Sequence, residues 1–438
     1  MTGTTVPVCT VNRLLAPLLP RAFLVILAAV ILPRILLFFY LGGELPQPGR
    51  DQALYIHTAG QIVSGEGFSF SSDLGLMKNL RNTSDSPQQH WTGDESYMFG
   101  LAPVDTPTAV MEPGYSVLLA LFFSLFGAVS GSVFSLNLLF ALGGAFAVRK
   151  LVMDVWGAQS GLMAAILWSI YPPFVYYSAY AMTETAHFAM LMISSMLLLS
   201  AGRGEGKGFL AGVATGVFFL IRATALFLVP FQIAYLAWRK QWKAMLFLSA
   251  GFLVAVSPWM VRNWISLGEP VLMPTKGSLN LWMRNNPEVL ALEGIFVPDN
   301  IPVNDLSLLE YPSTDSIPGE LARSRALGAS ARNYIFSNPR LMVWLGWNRA
   351  IDFLAPGGST LGTRGMIAGL VIYPLILFGV LGLWRSRHRP EAVFLFALFV
   401  LYLLVHALAH GGVRYRLPVD AVFLIGVALG TCCGEGKK

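Results

Sequence analysis

The sequence predicts an all-α membrane protein that crosses the bilayer many times. Of its 438 residues, 55% are hydrophobic and 12% are charged, whereas a soluble domain carries about a quarter charged residues. The mean hydropathy is +0.60, and apolar stretches of about 20 residues, the length that spans a bilayer, recur along the chain. We therefore expect residues 1–438 to form one integral-membrane domain with the lipid bilayer as its solvent.

About ten apolar segments have the composition of transmembrane helices. The placement of Lys and Arg gives their orientation, because these residues concentrate in cytoplasmic loops. If the stretch 113–128 lies along the membrane instead of crossing it, every short basic cluster and both chain ends fall on the cytoplasmic side. The segments lie at roughly 22–42, 132–150, 158–176, 185–202, 208–225, 224–238, 243–261, 365–384, 391–409 and 417–433.

Two long outer segments, 43–131 and 262–364, follow from this topology. The first is rich in acidic residues, and the second is rich in Pro, Asn and Ser but apolar enough to fold. Segments of this length in a compact protein are usually functional or disordered. The apolar stretches 113–128 and 329–355 predict short interfacial helices within these two loops.

The charge balance and the cysteines exclude other classes of protein. The formal net charge is +6, but the sequence lacks the clusters of basic and aromatic residues that a nucleic-acid surface needs, so no nucleic-acid partner is expected. The three cysteines lie near the termini and show neither metal-ligand spacing nor a disulfide framework. The histidines are scattered, and they predict no metal site.

Polar side chains from distant parts of the chain lie near the outer face on this topology. A guanidinium group matches the oxygens of a phosphate and stays charged, and a carboxylate can accept a proton from a hydroxyl group. Together they indicate a reaction on an anionic substrate at the membrane surface. The residues are Asp51, Glu112, Glu184, Arg222, Arg262, Asn263, Arg414 and Arg416.

Each carboxylate also has a structural interpretation. Asp51 follows the first span and has the position either of a functional group or of a cap for the helix that starts near residue 52. Glu112 precedes Pro113 and is suited to capping the helix that begins there. Glu184 stands in the first turn of a predicted helix, where an acidic residue is ordinary.

The arginines are harder to explain by structure alone. Arg222 lies inside the apolar run FLIRATALFLVP, where a charge is expensive and usually faces a polar cavity or a partner. Arg414 and Arg416 fall on the outer side, against the trend for basic residues, which favours an anionic partner. Arg262 has the alternative of extending to the lipid headgroups.

A resemblance to a known family rests on motifs that occur in a fixed order. They are RDQALYIHTAGQIVSGEGF, EPGYSVLLALFFSLFG, YPPFVYYSAYAMTETAHF, FLIRATALFLVP, SPWMVRNW, GSLNLWMRNNPE and RYRLP. Together they resemble the GT-C superfamily of glycosyltransferases, and within it the family 39-like proteins, which include protein O-mannosyltransferases and lipid A aminoarabinose transferases. The resemblance covers about 45–270 and the RYRLP segment. It implies a GT-C-like bundle of about ten transmembrane helices with interfacial helices in two long outer loops.

The resemblance also implies roles for the outer residues. Asp51 matches the family's catalytic general base, and Glu184 matches an acidic residue of the active cavity. Two departures, Gln52 after Asp51 and the lack of a soluble lumenal domain, count against protein O-mannosylation. The implied donor-phosphate ligand is Arg414, with Arg222 and Arg262 as helpers. Arg416 is a further candidate ligand from its outer position, and the candidate substrate-binding residues are Glu112, Tyr55 and Asn263.

The expected function is transfer of a hexose or pentose from a polyprenyl-phosphate donor to a hydroxyl group of a glycan, lipid or protein. The transfer would invert the anomeric carbon at the outer face of a membrane, which we expect to be a bacterial plasma membrane. No cofactor is required by the sequence, although a divalent metal stays open. Two other functions stay open as well: a transporter or flippase for a lipid-linked saccharide, and a polysaccharide polymerase or ligase.

Overall fold

The computed structural model describes residues 10–46, 50–69, 106–286, 319–355, 362–409 and 411–432. Over these residues the chain forms α-helices, short 3-10 turns and one isolated β-bridge between Ser69 and Pro107. The predicted all-α membrane architecture is therefore confirmed. Much of the acid-rich part of the first outer loop, and residues 287–318 of the second, lie outside the described residues.

The described residues in the first half of the chain form nine α-helices. They are α1 (Thr10–Leu15), α2 (Ala22–Tyr40), α3 (Arg50–Val63), α4 (Pro113–Phe126), α5 (Ser130–Trp156), α6 (Ala158–Ile170), α7 (Pro172–Tyr177), α8 (Glu184–Ser200) and α9 (Glu205–Ile221). The second half begins with a 3-10 turn, Ala223–Phe227. Its helices are α10 (Leu228–Trp238), α11 (Trp242–Leu267), α12 (Lys276–Arg284), α13 (Glu320–Ser337), α14 (Pro339–Leu354), α15 (Gly362–Arg385), α16 (Pro390–Ala409) and α17 (Val413–Thr431).

Four helical segments in the described chain are long and apolar enough to cross a bilayer: Ala16–Tyr40, Ser130–Trp156, Trp242–Leu267 and Pro390–Ala409. Six shorter apolar helices, including α4, α6 and α8, accompany them. The predicted integral-membrane character is thus confirmed, while the number of ten crossings and the surface position of 113–128 stay predictions. The stretch 329–355 falls within two helices, α13 and α14, separated at Asn338.

Helix α17 is the best-buried helix of the second half of the bundle. Every residue from Arg416 to Gly426 is buried, and the helix packs closely on α15. A Cβ atom added to Gly426 would lie 2.0 Å from the carbonyl oxygen of Gly379, and one added to Gly382 would lie 1.8 Å from that of Gly426. Small residues let helix backbones approach closely in membranes, where van der Waals packing holds helices together.

A buried arginine joins α2 to the break between α6 and α7. Arg34 donates hydrogen bonds from its guanidinium to the carbonyl oxygens of Val30, Ser169 and Phe174, at 3.0, 2.9 and 3.3 Å. The α6 helix ends next to Tyr171–Pro172, so the carbonyl of Ser169 lacks an intrahelical partner and needs a donor. Arg34 therefore has a structural role that the sequence analysis did not anticipate.

We expect the substitution Gly426→Ala to destabilise the protein, because the new methyl group must push α15 and α17 apart. Overpacking of this kind costs about 1–3 kcal/mol, and the midpoint of thermal unfolding in detergent should fall by several degrees. Gly131→Ala is the matched control, since a Cβ atom at Gly131 meets nothing within 4 Å. Equal midpoints for the two variants would contradict the close contact.

Candidate active site

Charged side chains from five parts of the chain line one cavity of about 330 Å³. Among the predicted site residues, Asp51, Tyr55, Glu112, Arg222 and Arg414 all line it. Lys276 and Arg284 add two further cations to its wall. The apolar part of the wall consists of Phe227, Met273, Leu281, Met283, Ala409 and the rings of His406 and Tyr415.

Asp51 lies in the first turn of α3 and its carboxylate is accessible from the cavity. Its Oδ2 accepts a hydrogen bond from Nη2 of Arg414 at 3.3 Å, and 39% of its side chain is exposed. Burial by itself would raise the pKa of Asp51, but the charges of Lys276, Arg414 and Arg222 outweigh it and hold the pKa below its ordinary value. Asp51 is therefore an ionised carboxylate at neutral pH.

Glu184 lies behind the cavity wall and holds two arginines in place. Its Oε1 accepts hydrogen bonds from Nε of Arg414 at 2.5 Å and from Nη1 of Arg222 at 3.2 Å. The hydroxyl of Thr183 accepts a second bond from Arg222 at 2.7 Å. Because only 2% of the Glu184 side chain is exposed, this residue orients the two guanidinium groups and does not itself face the cavity.

Glu112 does not cap the helix that begins at Pro113, since α4 has no side-chain cap there. Its Oε1 instead accepts a hydrogen bond from the backbone N–H of Ala223 at 2.9 Å, and its Oε2 lies 3.1 Å from Nζ of Lys276. Burial would raise the pKa of Glu112, but Lys276 and the bond from Ala223 lower it below its ordinary value. Glu112 thus joins α4, α12 and the turn after α9.

Lys276, like Arg284, is a charged site residue that the sequence analysis missed. It is the first residue of α12, directly before the motif GSLNLWMRNNPE, and it lies over the ring of Tyr55 at 5.8 Å from the centroid. A signal was present in the sequence: Lys276 is the one lysine between Lys243 and Lys437, and the predicted topology puts it on the outer side. The reasoning that selected Arg414, a basic residue against the positive-inside trend, also selects Lys276.

Arg416 is not at the cavity, although it was predicted to bind the donor phosphate. Its side chain has 0% exposure. Its Nε donates to Oδ1 of Asp420 at 2.9 Å, and its Nη1 donates to the carbonyl oxygens of Leu354 and Ala355 at 2.9 and 2.7 Å. These bonds satisfy the end of α14, so Arg416 has a structural position.

Arg262 and Asn263 also lie away from the cavity wall. Arg262 donates to the carbonyl oxygens of Phe68 and Thr108, each at 2.7 Å, and its guanidinium lies over the ring of Trp259. Asn263 donates to the carbonyl oxygen of Val271 at 2.7 Å. Both residues hold the outer loops against α11, and the structure does not bring them to the place where Asp51 and Arg414 meet.

Comparison with known proteins gives a family match and several structures with a similar fold. Residues 105–261 match the family described as dolichyl-phosphate-mannose-protein mannosyltransferase. No curated protein sequence matches the chain. The fold is similar to that of the archaeal oligosaccharyltransferase AglB from Archaeoglobus fulgidus, solved with an inhibitory peptide and a dolichol-phosphate, with a TM-score of 0.51 and 13% identity over 95% of this chain and 50% of AglB.

Two further structures were found. An oligosaccharyltransferase from Archaeoglobus fulgidus in the apo form gives a TM-score of 0.52 and 13% identity, covering 95% of this chain and 50% of that one. ArnT from Cupriavidus metallidurans bound to undecaprenyl phosphate gives a TM-score of 0.39 and 12% identity, covering 96% and 77%. The chain spans about half the length of the archaeal enzyme. The family match covers part of the chain, and the archaeal structures are similar to it in fold.

We expect Arg416→Met and Arg414→Met to differ in their effect on stability. Removing Arg416 leaves Asp420 as an unpaired buried charge, which costs about 3–5 kcal/mol. Removing Arg414 leaves Glu184 paired with Arg222 and leaves Asp51 partly exposed, so the free energy of unfolding should change much less. Thermal unfolding of the two purified variants measures the difference. Equal losses of stability would contradict the assignment of Arg416 to structure and Arg414 to the cavity.

Proposed function

We propose that the protein is a membrane glycosyltransferase that moves a sugar from a polyprenyl-phosphate donor to an acceptor hydroxyl at the outer face of the membrane. The observation that carries the proposal is the meeting of an ionised carboxylate, Asp51, with the guanidinium group of Arg414 in one cavity. A base for a hydroxyl and a ligand for a phosphate are the two groups that this reaction needs. A bacterial plasma membrane with the cavity facing outward is part of the proposal.

The reaction is a single displacement at the anomeric carbon. Asp51 accepts the proton of the acceptor hydroxyl, whose oxygen forms a bond to the anomeric carbon. The bond from that carbon to the phosphate oxygen breaks, its electron pair stays on the phosphate, and the configuration inverts. The departing phosphate gains negative charge, which Arg414 and Arg222 stabilise from fixed positions. Because phosphate leaves without a proton, one carboxylate suffices, whereas a glycoside hydrolase uses two.

The charges around the cavity favour a donor with one phosphate. Among the described residues, four cations and three carboxylates gather there, which leaves one net positive charge. A sugar joined to a polyprenol through a single phosphate carries one negative charge, and a diphosphate-linked donor carries two. The groups are Arg222, Lys276, Arg284 and Arg414 on one side and Asp51, Glu112 and Glu184 on the other.

Two further observations support a lipid-borne donor. The archaeal oligosaccharyltransferase with the same fold was solved with a dolichol-phosphate. Phe227 and Met273, which line the cavity, are 48% and 41% exposed. Exposed apolar side chains at the cavity suit an isoprenoid chain whose phosphate reaches the cations.

The decisive experiment supplies purified protein with labelled polyprenyl-phosphate sugars and candidate acceptors and measures release of polyprenyl phosphate. A transferase releases it in proportion to the product formed. A flippase moves the donor across a vesicle membrane without breaking the bond, and a polymerase or ligase requires a diphosphate donor. No release of polyprenyl phosphate with any acceptor tested, or transfer only from a diphosphate-linked donor, would overturn the proposal.

We expect Asp51→Asn to lower the rate of transfer by about 100- to 10,000-fold, because an amide cannot take the proton of the acceptor. The variant should still insert and unfold like the wild-type protein, since Glu184 keeps Arg414 in place. Glu269→Gln is the matched control: Glu269 is an exposed carboxylate paired with Arg325 on the outer surface. Full transfer activity in Asp51→Asn would remove Asp51 from the mechanism.

We expect the transfer rate to stay flat from pH 8 down to pH 5. The nearby cations lower the pKa of Asp51, so the carboxylate remains ionised, and able to act as a base, throughout this range. The rate should fall at lower pH, when Asp51 becomes protonated. A midpoint near pH 6 in the rate of transfer, with the protein still folded, would show that the base is another group.

A further inference from the structure

The Lys276 ammonium group occupies a fixed place on the cavity wall beside two carboxylates. Its Nζ lies 3.1 Å from Oε2 of Glu112, and its side chain is 15% exposed. Of the cations that act on Asp51, Lys276 has the largest electrostatic effect. One positive charge therefore interacts with both Glu112 and Asp51.

The backbone fixes the position of Lys276 relative to Glu112. The N–H groups of Thr275 and Lys276 donate to the carbonyl oxygens of Ala109 and Val110, at 2.9 and 3.1 Å. These two bonds lay the segment before α12 along the segment before α4. The positions of Glu112 and Lys276 relative to each other are therefore set by the register of two short backbone segments. The contact does not rest only on the conformation of a long, flexible side chain.

A buried carboxylate holds the same two segments together from behind. Glu320, at the start of α13, accepts hydrogen bonds from the hydroxyl of Thr108 at 2.7 Å, the N–H of Ala109 at 3.0 Å and the hydroxyl of Thr275 at 2.5 Å. The ammonium group is thus preorganised by elements of both outer loops. Groups placed in this way lose little reorganisation energy when charge develops during a reaction.

Two carboxylates together with a substrate phosphate form a common ligand set for a divalent cation such as Mg²⁺. We propose that the Lys276 ammonium group is the built-in cation of this cavity and supplies, beside Asp51 and Glu112, the positive charge that a divalent metal would otherwise supply. The inference rests on the proposed transfer reaction. In that reaction the ammonium group stabilises the charge that grows on the departing phosphate, and it requires no metal to do so.

The protonation state of Lys276 is consistent with this role. Burial would lower its pKa, but the charges of Glu112 and Asp51 raise the pKa above its ordinary value. The group therefore remains an ammonium ion at every pH at which Asp51 acts as a base.

The test compares the wild-type protein with Lys276→Ser and Lys276→Arg in the assay for release of polyprenyl phosphate. Wild-type transfer should be unchanged by excess EDTA. Lys276→Ser should lose about 100-fold in rate, the size of effect seen when one preorganised donor is removed, and millimolar Mn²⁺ should restore roughly tenfold, because carboxylates suit Mn²⁺. Lys276→Arg should keep more activity than Lys276→Ser and gain nothing from Mn²⁺.

A second measurement does not depend on activity. In the presence of polyprenyl phosphate, Mn²⁺ should bind to purified Lys276→Ser, seen by electron paramagnetic resonance, and not to the wild-type cavity. The double substitution Glu112→Gln with Lys276→Ser should abolish that binding, and Lys243→Ser, which removes an exposed lysine at the other end of α11, should behave as wild type in both measurements.

The outcomes separate the inference from the proposed function. Transfer by the wild-type protein that EDTA abolishes, or a folded Lys276→Ser variant that binds no Mn²⁺ and regains no activity with it, overturns the role of Lys276 and leaves the transferase intact. Full activity of Lys276→Ser without metal also overturns it. If no donor yields polyprenyl phosphate with the wild-type protein, the proposed function itself fails.

Discussion

The ion-pair network of Asp51, Arg414, Glu184 and Arg222 is the interaction on which the rest of the structure depends. Its members lie at the ends of four helices, and Asp51 and Arg414 are 363 positions apart in the chain. A charge near the apolar part of a bilayer is stable only with a partner, so these ends of α3, α8, α9 and α17 have to meet at one place. The cavity exists because these helix ends converge there.

The need to pair charges inside the bundle also explains a second charged group, to which a ligand has no access. Arg416 is paired with Asp420, Asp420 accepts a hydrogen bond from Tyr171 at 2.8 Å, and the carbonyl oxygens at the end of α14 accept further bonds from Arg416. Arg414 differs, because a third of its side chain remains exposed beside an accessible Asp51. A buried arginine therefore indicates a binding site only when part of its hydrogen-bonding capacity faces a cavity.

The composition of the sequence predicted the helical membrane fold. Charge parity, which is the placement of the basic clusters on one side of the membrane, predicted a shared end of the bundle for Asp51, Glu112, Arg222 and Arg414. It could not predict which way each side chain points. Residues two apart on an α-helix are separated by about 200° around its axis, so Arg414 and Arg416 cannot face the same cavity, which parity alone overlooks. The meeting of Lys276 with Glu112 depends on pairing between two loop segments, and no periodic pattern in the sequence records that pairing.

In the proposed reaction, Arg414 connects donor binding to the activation of the acceptor. Its Nε is bonded to the buried Glu184, while its Nη2 is bonded to the accessible Asp51. A donor phosphate offers two oxygens to a guanidinium group, and it competes with Asp51 for Nη2 without disturbing the bond to Glu184. In the proposed reaction, that exchange releases an oxygen of Asp51 toward the acceptor hydroxyl. The base thus becomes available when the donor is in place, because one guanidinium group serves both partners.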